Sequence, residues 1–253
     1  MIARCIVKFL LRGVTLIAAV MFGVFHADHG FARSAEIFEK SEVFVLGTLY
    51  NRHRTVDAYG VESLRKTIEK INPQVLVLDV NQTELKEQKV SLGKVEYPGA
   101  IFPFLNERKL PAYPGEPPDP MFSEIVNIVA DLRKDFERTD PERFAAMKRF
   151  RAATYEALSQ FWKSPADVNG SATEKVILGL KAYEAVLLGP KEKESHERWD
   201  AYAVEMTLQA ARENSGKRIL QITGIENCPR IRAGLNDSGK VRLVEMESWI
   251  RRN

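Results

Sequence analysis

The chain has 253 residues, 45% of them hydrophobic and 28% charged, with a formal net charge of +3. One domain of that size buries a full core without staples, and so small a charge excess carries no electrostatic footprint for nucleic acid. With only two cysteines, a disulfide-dense scaffold is excluded as well.

The first segment reads as a leader. Arg4, Lys8 and Arg12 form a positive n-region and residues 14–25 an apolar h-region, too short for a bilayer span of about 20 residues. Gly30-Phe31-Ala32 supplies a small-x-Ala cleavage signal. Residues 1–32 are therefore expected to be a signal peptide cut after Ala32, which makes the mature chain periplasmic or secreted, with no membrane span after processing. No cysteine at the end of the h-region offers a lipoprotein anchor. Cleavage removes three bases and one acid, taking the net charge from +3 to +1. Cys5, His26 and His29 leave with it. Cys228 remains as the sole thiol and His53 and His196 as the sole imidazoles, so neither an intrachain disulfide nor a three-histidine site within one chain can form.

Residues 33–253 read as a single α/β domain. Strand 43–46 breaks at Gly47-Thr48 into a polar turn carrying Tyr50, Asn51 and His53. An amphipathic helix spans 61–71, and strand 75–78 follows Asn72-Pro73 and ends on Asp79. A polar loop runs to about residue 94. Helix 99–108 starts after Pro98, strand 110–113 comes next, and Pro114-Gly115-Glu116-Pro117-Pro118 punctuates it. Helical periodicity then covers 121–138, 141–162, 171–188 and 195–213. The third of these opens on Ser171-Ala-Thr-Glu174, a capping-box pattern. Strand 218–223, a turn at 224–228, helix 229–235 and strand 241–245 complete the chain. Strands alternating with helices imply a mainly parallel sheet flanked by helices. The block at about 119–215 is an α-helical insertion, expected to form a lid or wall over the strand ends.

Open parallel sheets bind ligands at the carboxyl ends of their strands. That edge should gather Tyr50, Asn51 and His53 from the first strand, Asp79 and Asn81 from the second, and Glu116 from the third. Glu226, Asn227 and Cys228 follow the fourth strand, and Glu96 folds back toward the same edge. Several carboxylates and one imidazole can hold a cation or perform acid–base work if two acquire different pKa values. The competing reading is that such carboxylates cap helices or are solvated.

These residues resemble a known superfamily. The turn Leu46-Gly47-Thr48-Leu49-Tyr50-Asn51-Arg52-His53, then Tyr59, Leu64 and Asn72-Pro73-Gln74-Val75-Leu76-Val77-Leu78-Asp79, are similar to a pattern in TraB-like and TIKI-like proteins, erythromycin esterases and ChaN-like haem-binding proteins. Glu96 in Val-Glu-Tyr-Pro-Gly-Ala-Ile matches a family glutamate before the next helix. The segment Ile222-Thr223-Gly224-Ile225-Glu226-Asn227 matches a late strand that closes on a histidine, and Arg198 matches an arginine on the preceding helix. The resemblance spans about 43–245. It departs where chemistry matters: Tyr50 and Asn227 stand where the family has histidines, and Asp79 where it has glutamate. A phenol titrates near pH 10, so Tyr50 is a poor base or metal ligand at neutral pH.

Two functions follow from the resemblance. One is a non-catalytic or chemically altered relative that binds a small ligand, peptide or partner in a strand-end cleft, with Tyr50, Asn51, Glu116, Arg198 and Asn227 as contacts. The other is a metal-assisted periplasmic hydrolase of esters or peptides. There His53 acts as base, and Asp79, Glu96 and Glu226 hold a divalent cation or orient water. Carboxylate ligands favour Mn or Mg over Zn. A haem, with His53, Tyr50 or His196 as axial ligand, is the lesser cofactor expectation. Cys228 at a helix N-terminus is a further nucleophile candidate, since the helix dipole lowers a thiol pKa. His196, in a charge-rich helix start, is expected to be solvated.

Overall fold

The computed structural model of the protein describes residues 39–253. The signal peptide expected at 1–32 lies outside the described residues. Alternation along the strands sends Phe44 and Leu46 of β1 (Glu42–Thr48) to one face and Val43 and Val45 to the other. β2 (Val75–Leu78) and β4 (Arg218–Gly224) repeat that pattern. Both faces are therefore covered, as near-continuous apolar strands require. With β3 (Ala112–Pro114) and β5 (Arg242–Leu243), the sheet is all parallel in the order β3-β2-β4-β1-β5. The protein is an α/β fold with helices on both faces of a five-stranded parallel sheet.

One face carries α1 (Val61–Ile71), the π-turn Tyr97–Ile101 with α3 (Phe102–Arg108), and a C-terminal α10 (Met246–Arg252) whose Trp249 meets Phe44 edge-on at 5.2 Å. The other face carries α9 (Cys228–Ser238) and the C-terminal half of α8 (Pro190–Glu213), through Ala203, Leu208 and Ala210. Leu76 and Leu78 have no exposed surface. Each contributes roughly 2 kcal/mol of burial free energy.

The predicted insertion is realised as α4 (Met121–Thr139), α5 (Pro141–Phe161), a one-turn α6 (Pro165–Val168), α7 (Ser171–Leu188) and α8. None of the described helices is long and apolar enough to cross a membrane. Because β5 ends at Leu243, β1 has free backbone groups beyond Val43 on that side. Asn169 Oδ1 accepts from Gly47 N–H at 2.7 Å, and Arg232 donates to the Val45 carbonyl at 2.9 Å. The insertion and α9 thus finish the sheet where a strand is missing.

Three local expectations are corrected. The loop to residue 94 contains α2 (Gln82–Glu87), and Asn81, expected at the site edge, is its N-cap. Asn81 accepts from the Thr83 and Glu84 N–H groups, and Glu84 reaches back to the Asn81 N–H. The capping box expected at Ser171 does not form. The N-cap is Gly170, and Glu174 turns away to Arg232 at 3.3 Å. α10, which follows the last strand, had no sequence expectation: its seven residues show little periodicity.

Candidate functional site

The strand order reverses between β1 and β4. From β1 the chain crosses to β2 and then β3 on one side, and from β4 to β5 on the other. Ligands of open α/β sheets bind in the crevice outside such a switch point. Here the crevice is occupied by the chain itself. Tyr50 leaves β1 with φ 51°, a left-handed conformation that costs a non-glycine residue on the order of 1 kcal/mol. Its ring lies directly against Gly224, where a Cβ would come within 2.6 Å of the Tyr50 Cζ. The phenol donates to Asp79 Oδ2 at 2.6 Å. Burial, with the Asp79 charge, holds that phenol protonated well above its ordinary range.

Around this plug the structure gathers Asp79, Glu96, Tyr97 and Glu116, all buried. Lys94 donates to Glu116 and to the Asp79 backbone carbonyl, closing the cluster with its own ammonium. Burial pushes Glu116 up to about 8. The Asp79 charge adds to this, and the Lys94 ammonium opposes it. Glu96 is fully buried, and neither carboxyl oxygen has a partner at hydrogen-bond geometry among the described residues. Burial pushes it up to about 7, against the opposing influence of the Thr48 hydroxyl. The Tyr97 hydroxyl is likewise buried without a partner.

The other predicted residues face elsewhere. His53 is buried: its Nε2 accepts from the Leu49 N–H at 2.9 Å, and its Nδ1 donates to the Tyr59 carbonyl at 2.6 Å. Burial lowers its pKa. Both nitrogens are spent on the turn that shapes Tyr50, so the role of base expected for His53 does not fit. Asn51 is exposed. Glu226 turns into the helical insertion, where Arg151 and Tyr155 both donate to its Oε1. Although burial opposes it, these bonds hold the Glu226 carboxyl down at about 2, so it stays ionised and is no proton shuttle. Arg198 pairs with Glu124 of α4 at 2.9 Å, outside the cluster. Cys228 is buried, and desolvation pushes its thiol up to about 12, overriding the helix dipole that had suggested a nucleophile. His196 is half-buried and paired with the buried Glu192 at 2.9 Å, not solvated as expected.

Four predicted residues therefore meet (Tyr50, Asp79, Glu96 and Glu116), and the rest serve the scaffold or line other surfaces. Sequence reasoning missed Lys94 and Tyr97, which flank Glu96 closely enough to have been suspected. It also missed a second buried set between helices. Lys181 and Asp200 are buried without hydrogen-bond partners among the described residues, and burial pushes Asp200 up to about 7. No sequence signal set these apart, since the buried faces of α7 and α8 also carry Glu184, Glu192, Ser195 and Thr207.

Asn227 lines a groove of about 430 Å³ between α4 and α8, together with Ile125, Val129, Arg133, His196 and Trp199. No three His, Cys, Asp or Glu side chains among the described residues are grouped to hold a metal ion. With Asp79 bound to Tyr50, Glu116 to Lys94 and His53 to backbone, the donor set does not fit the divalent cation the resemblance implied. Nor does it offer a haem ligand, since Tyr50, His53 and His196 are all engaged. Comparison of the chain with protein-family models, with curated proteins and with solved structures finds no match.

Proposed function

We propose that the chain is an exported, chemically altered and non-catalytic relative of the TraB-like, erythromycin-esterase-like and ChaN-like superfamily, binding a small ligand beside the strand ends. The observation that carries this reading is the plug. Tyr50 fills the switch-point crevice against Gly224 and spends its hydroxyl on Asp79. A reaction centre there would need room for substrate and an unspent base. The groove beside Asn227 has a volume typical of small-ligand sites.

The test is turnover. Purified protein should hydrolyse neither activated esters nor peptides above the buffer rate, with or without added Mn, Mg or Zn. One observation favours the second reading, a hydrolase: Glu96, pushed up to about 7, is matched to acid–base work at neutral pH. Its signature is turnover with a midpoint near pH 7 that disappears in Glu96→Gln while the circular dichroism spectrum is unchanged. That result overturns the binding reading.

A further inference from the structure

We infer that the outward face of α5 and α7 is a self-association surface, on which a second copy of the chain docks antiparallel about a twofold axis at Gly179. This goes beyond the strand-end reading and does not depend on it.

α7 is built inside out. Thr173, Lys181 and Glu184 point into the protein, whereas among its exposed residues only Ser171 and Lys175 are polar. A helix that is apolar on its outer side as well as its inner one is normally covered. α5 lies antiparallel beside it, with Phe161 next to Ala172 at one end and Phe150 against Tyr183 at 4.7 Å at the other. Along α5 this surface is made by Phe150, Thr154, Ala157 and Phe161, in steps of four and three. Along α7 the same steps link Ala172, Val176, Gly179, Tyr183 and Val186. That is the heptad spacing of a seam between packed helices. Here it is open to water: Phe150 and Phe161 are 48% exposed, Val176 42% and Val186 81%.

The face fits its own copy. Val186 stands clear of one end, and at the other a hollow of about 340 Å³ lies between Phe161, Ala172 and Val176. Val186 and Ala172 are equally far from Gly179 in sequence, about 10 Å along the helix on either side. A twofold axis crossing α7 at Gly179 therefore sets Val186 of each copy into the hollow of the other, an isologous contact. Gly179 is where the two backbones meet. A Cβ there has no atom of this chain within 4 Å, and glycine otherwise weakens a helix interior.

Charge and area agree with this occupant. Lys175 is the one charge among the exposed residues of α7. It and Tyr183 are also equally far from Gly179, so the axis sets each ammonium at a ring of the other copy, a cation–π pairing made twice. The two Lys175 residues stand roughly 12 Å apart along the axis of α7, beyond a screening length of about 8 Å. At about 200 Å² for a whole phenylalanine, the exposed parts of Phe150, Phe161, Val176 and Val186 amount to roughly 400 Å² per copy. Two copies remove about 800 Å² of apolar surface from water, and the alanines and polar rim bring the contact to the roughly 1,200 Å² at which specific interfaces begin. A small apolar ligand would fill the hollow and leave Val186 and Gly179 bare.

The test is sedimentation equilibrium of the full chain from low to high micromolar concentration. The mass should rise from one chain to two, with a dissociation constant in the micromolar range. Val186→Glu buries two unpaired carboxylates per dimer and should weaken association at least about a hundredfold. Gly179→Leu should weaken it at least about as much without lowering the melting temperature of the monomer, since leucine is the better helix former. Leu178→Glu alters an exposed residue about 100° around α7 from Gly179 and should dimerise like the wild type. A single-chain mass at every concentration overturns the inference and gives the face to a different occupant. A dimer that survives both Val186→Glu and Gly179→Leu, or is lost equally in Leu178→Glu, overturns it as well.

Discussion

Arg151→Met removes the cation that, with the Tyr155 hydroxyl, ties the turn after β4 to the helical insertion. Arg151 bonds both oxygens of the buried Glu184 at 2.8 Å and also donates to Glu226, whose side chain is 24% exposed. Removing one partner of a buried ion pair typically costs about 3–5 kcal/mol, because the remaining charge is stranded. A second route to the magnitude agrees. Holding Glu226 at about 2 instead of the ordinary 4.5 corresponds to roughly 3 kcal/mol at neutral pH. Partial exposure favours the lower end, so the variant should lose about 3 kcal/mol in urea denaturation at pH 7. For a domain of this size that lowers the melting temperature by roughly 6–12 °C. The sign with pH follows from the depressed pKa. This stabilisation is full above the unfolded-chain value of 4.5 and is lost as pH falls toward 2, so the defect should shrink on going from pH 7 to pH 3. A loss below about 0.5 kcal/mol, the range of ordinary surface substitutions, or one that is the same at both pH values, would refute the assignment of Glu226 as a scaffold clamp.

Further outcomes follow from the same geometry. Glu96 and Asp200, pushed up to about 7, and Glu116, to about 8, bind protons more tightly folded than unfolded. Their stabilisation is therefore full below about pH 4 and lost as pH rises to 8, whereas that of Glu226 is lost on acidification. Urea midpoints should peak near pH 5, and a continuous rise from pH 5 to 8 would contradict the assigned shifts. Gly224→Ala drives a Cβ into the Tyr50 ring, which should cost about 1–3 kcal/mol of stability; a neutral substitution would mean the crevice is not plugged. Native Cys228, buried and held protonated with its thiol at about 12, should resist a thiol-specific reagent until the chain unfolds, and labelling at the native state would show that it is accessible.

Much of the fold was legible because its apolar strands are short uninterrupted runs. Residues 43–46, 75–78 and 218–223 stand out against polar flanks, and each became a central strand of the sheet. Helix 61–71 was legible to the residue because Asn72, in a left-handed conformation, ends it just before Pro73. The last strand, expected at 241–245, is present but only two residues long as β5, and α10 carries too little pattern to read. At the site, the structure brings Tyr50, Asp79, Glu96 and Glu116 into one neighbourhood, as their positions after the strands suggested. What each group does there was not legible, since it depends on distant partners. Glu226 meets Arg151, 75 positions earlier, and Asp79 meets Tyr50, 29 positions earlier. The role of His53 was hidden for the opposite reason. Its partners, Leu49 and Tyr59, are local backbone groups that no side-chain motif records.

Elemental analysis of protein purified without chelators addresses the central claim most directly: the strand-end carboxylates are satisfied from within, Glu116 by the Lys94 ammonium, Asp79 by the hydrogen bond from Tyr50 and Glu96 by a bound proton, so that no metal cation is needed. The account predicts substoichiometric Mn, Mg and Zn. One equivalent of a divalent metal, retained through dialysis and lost in Asp79→Asn, would contradict it.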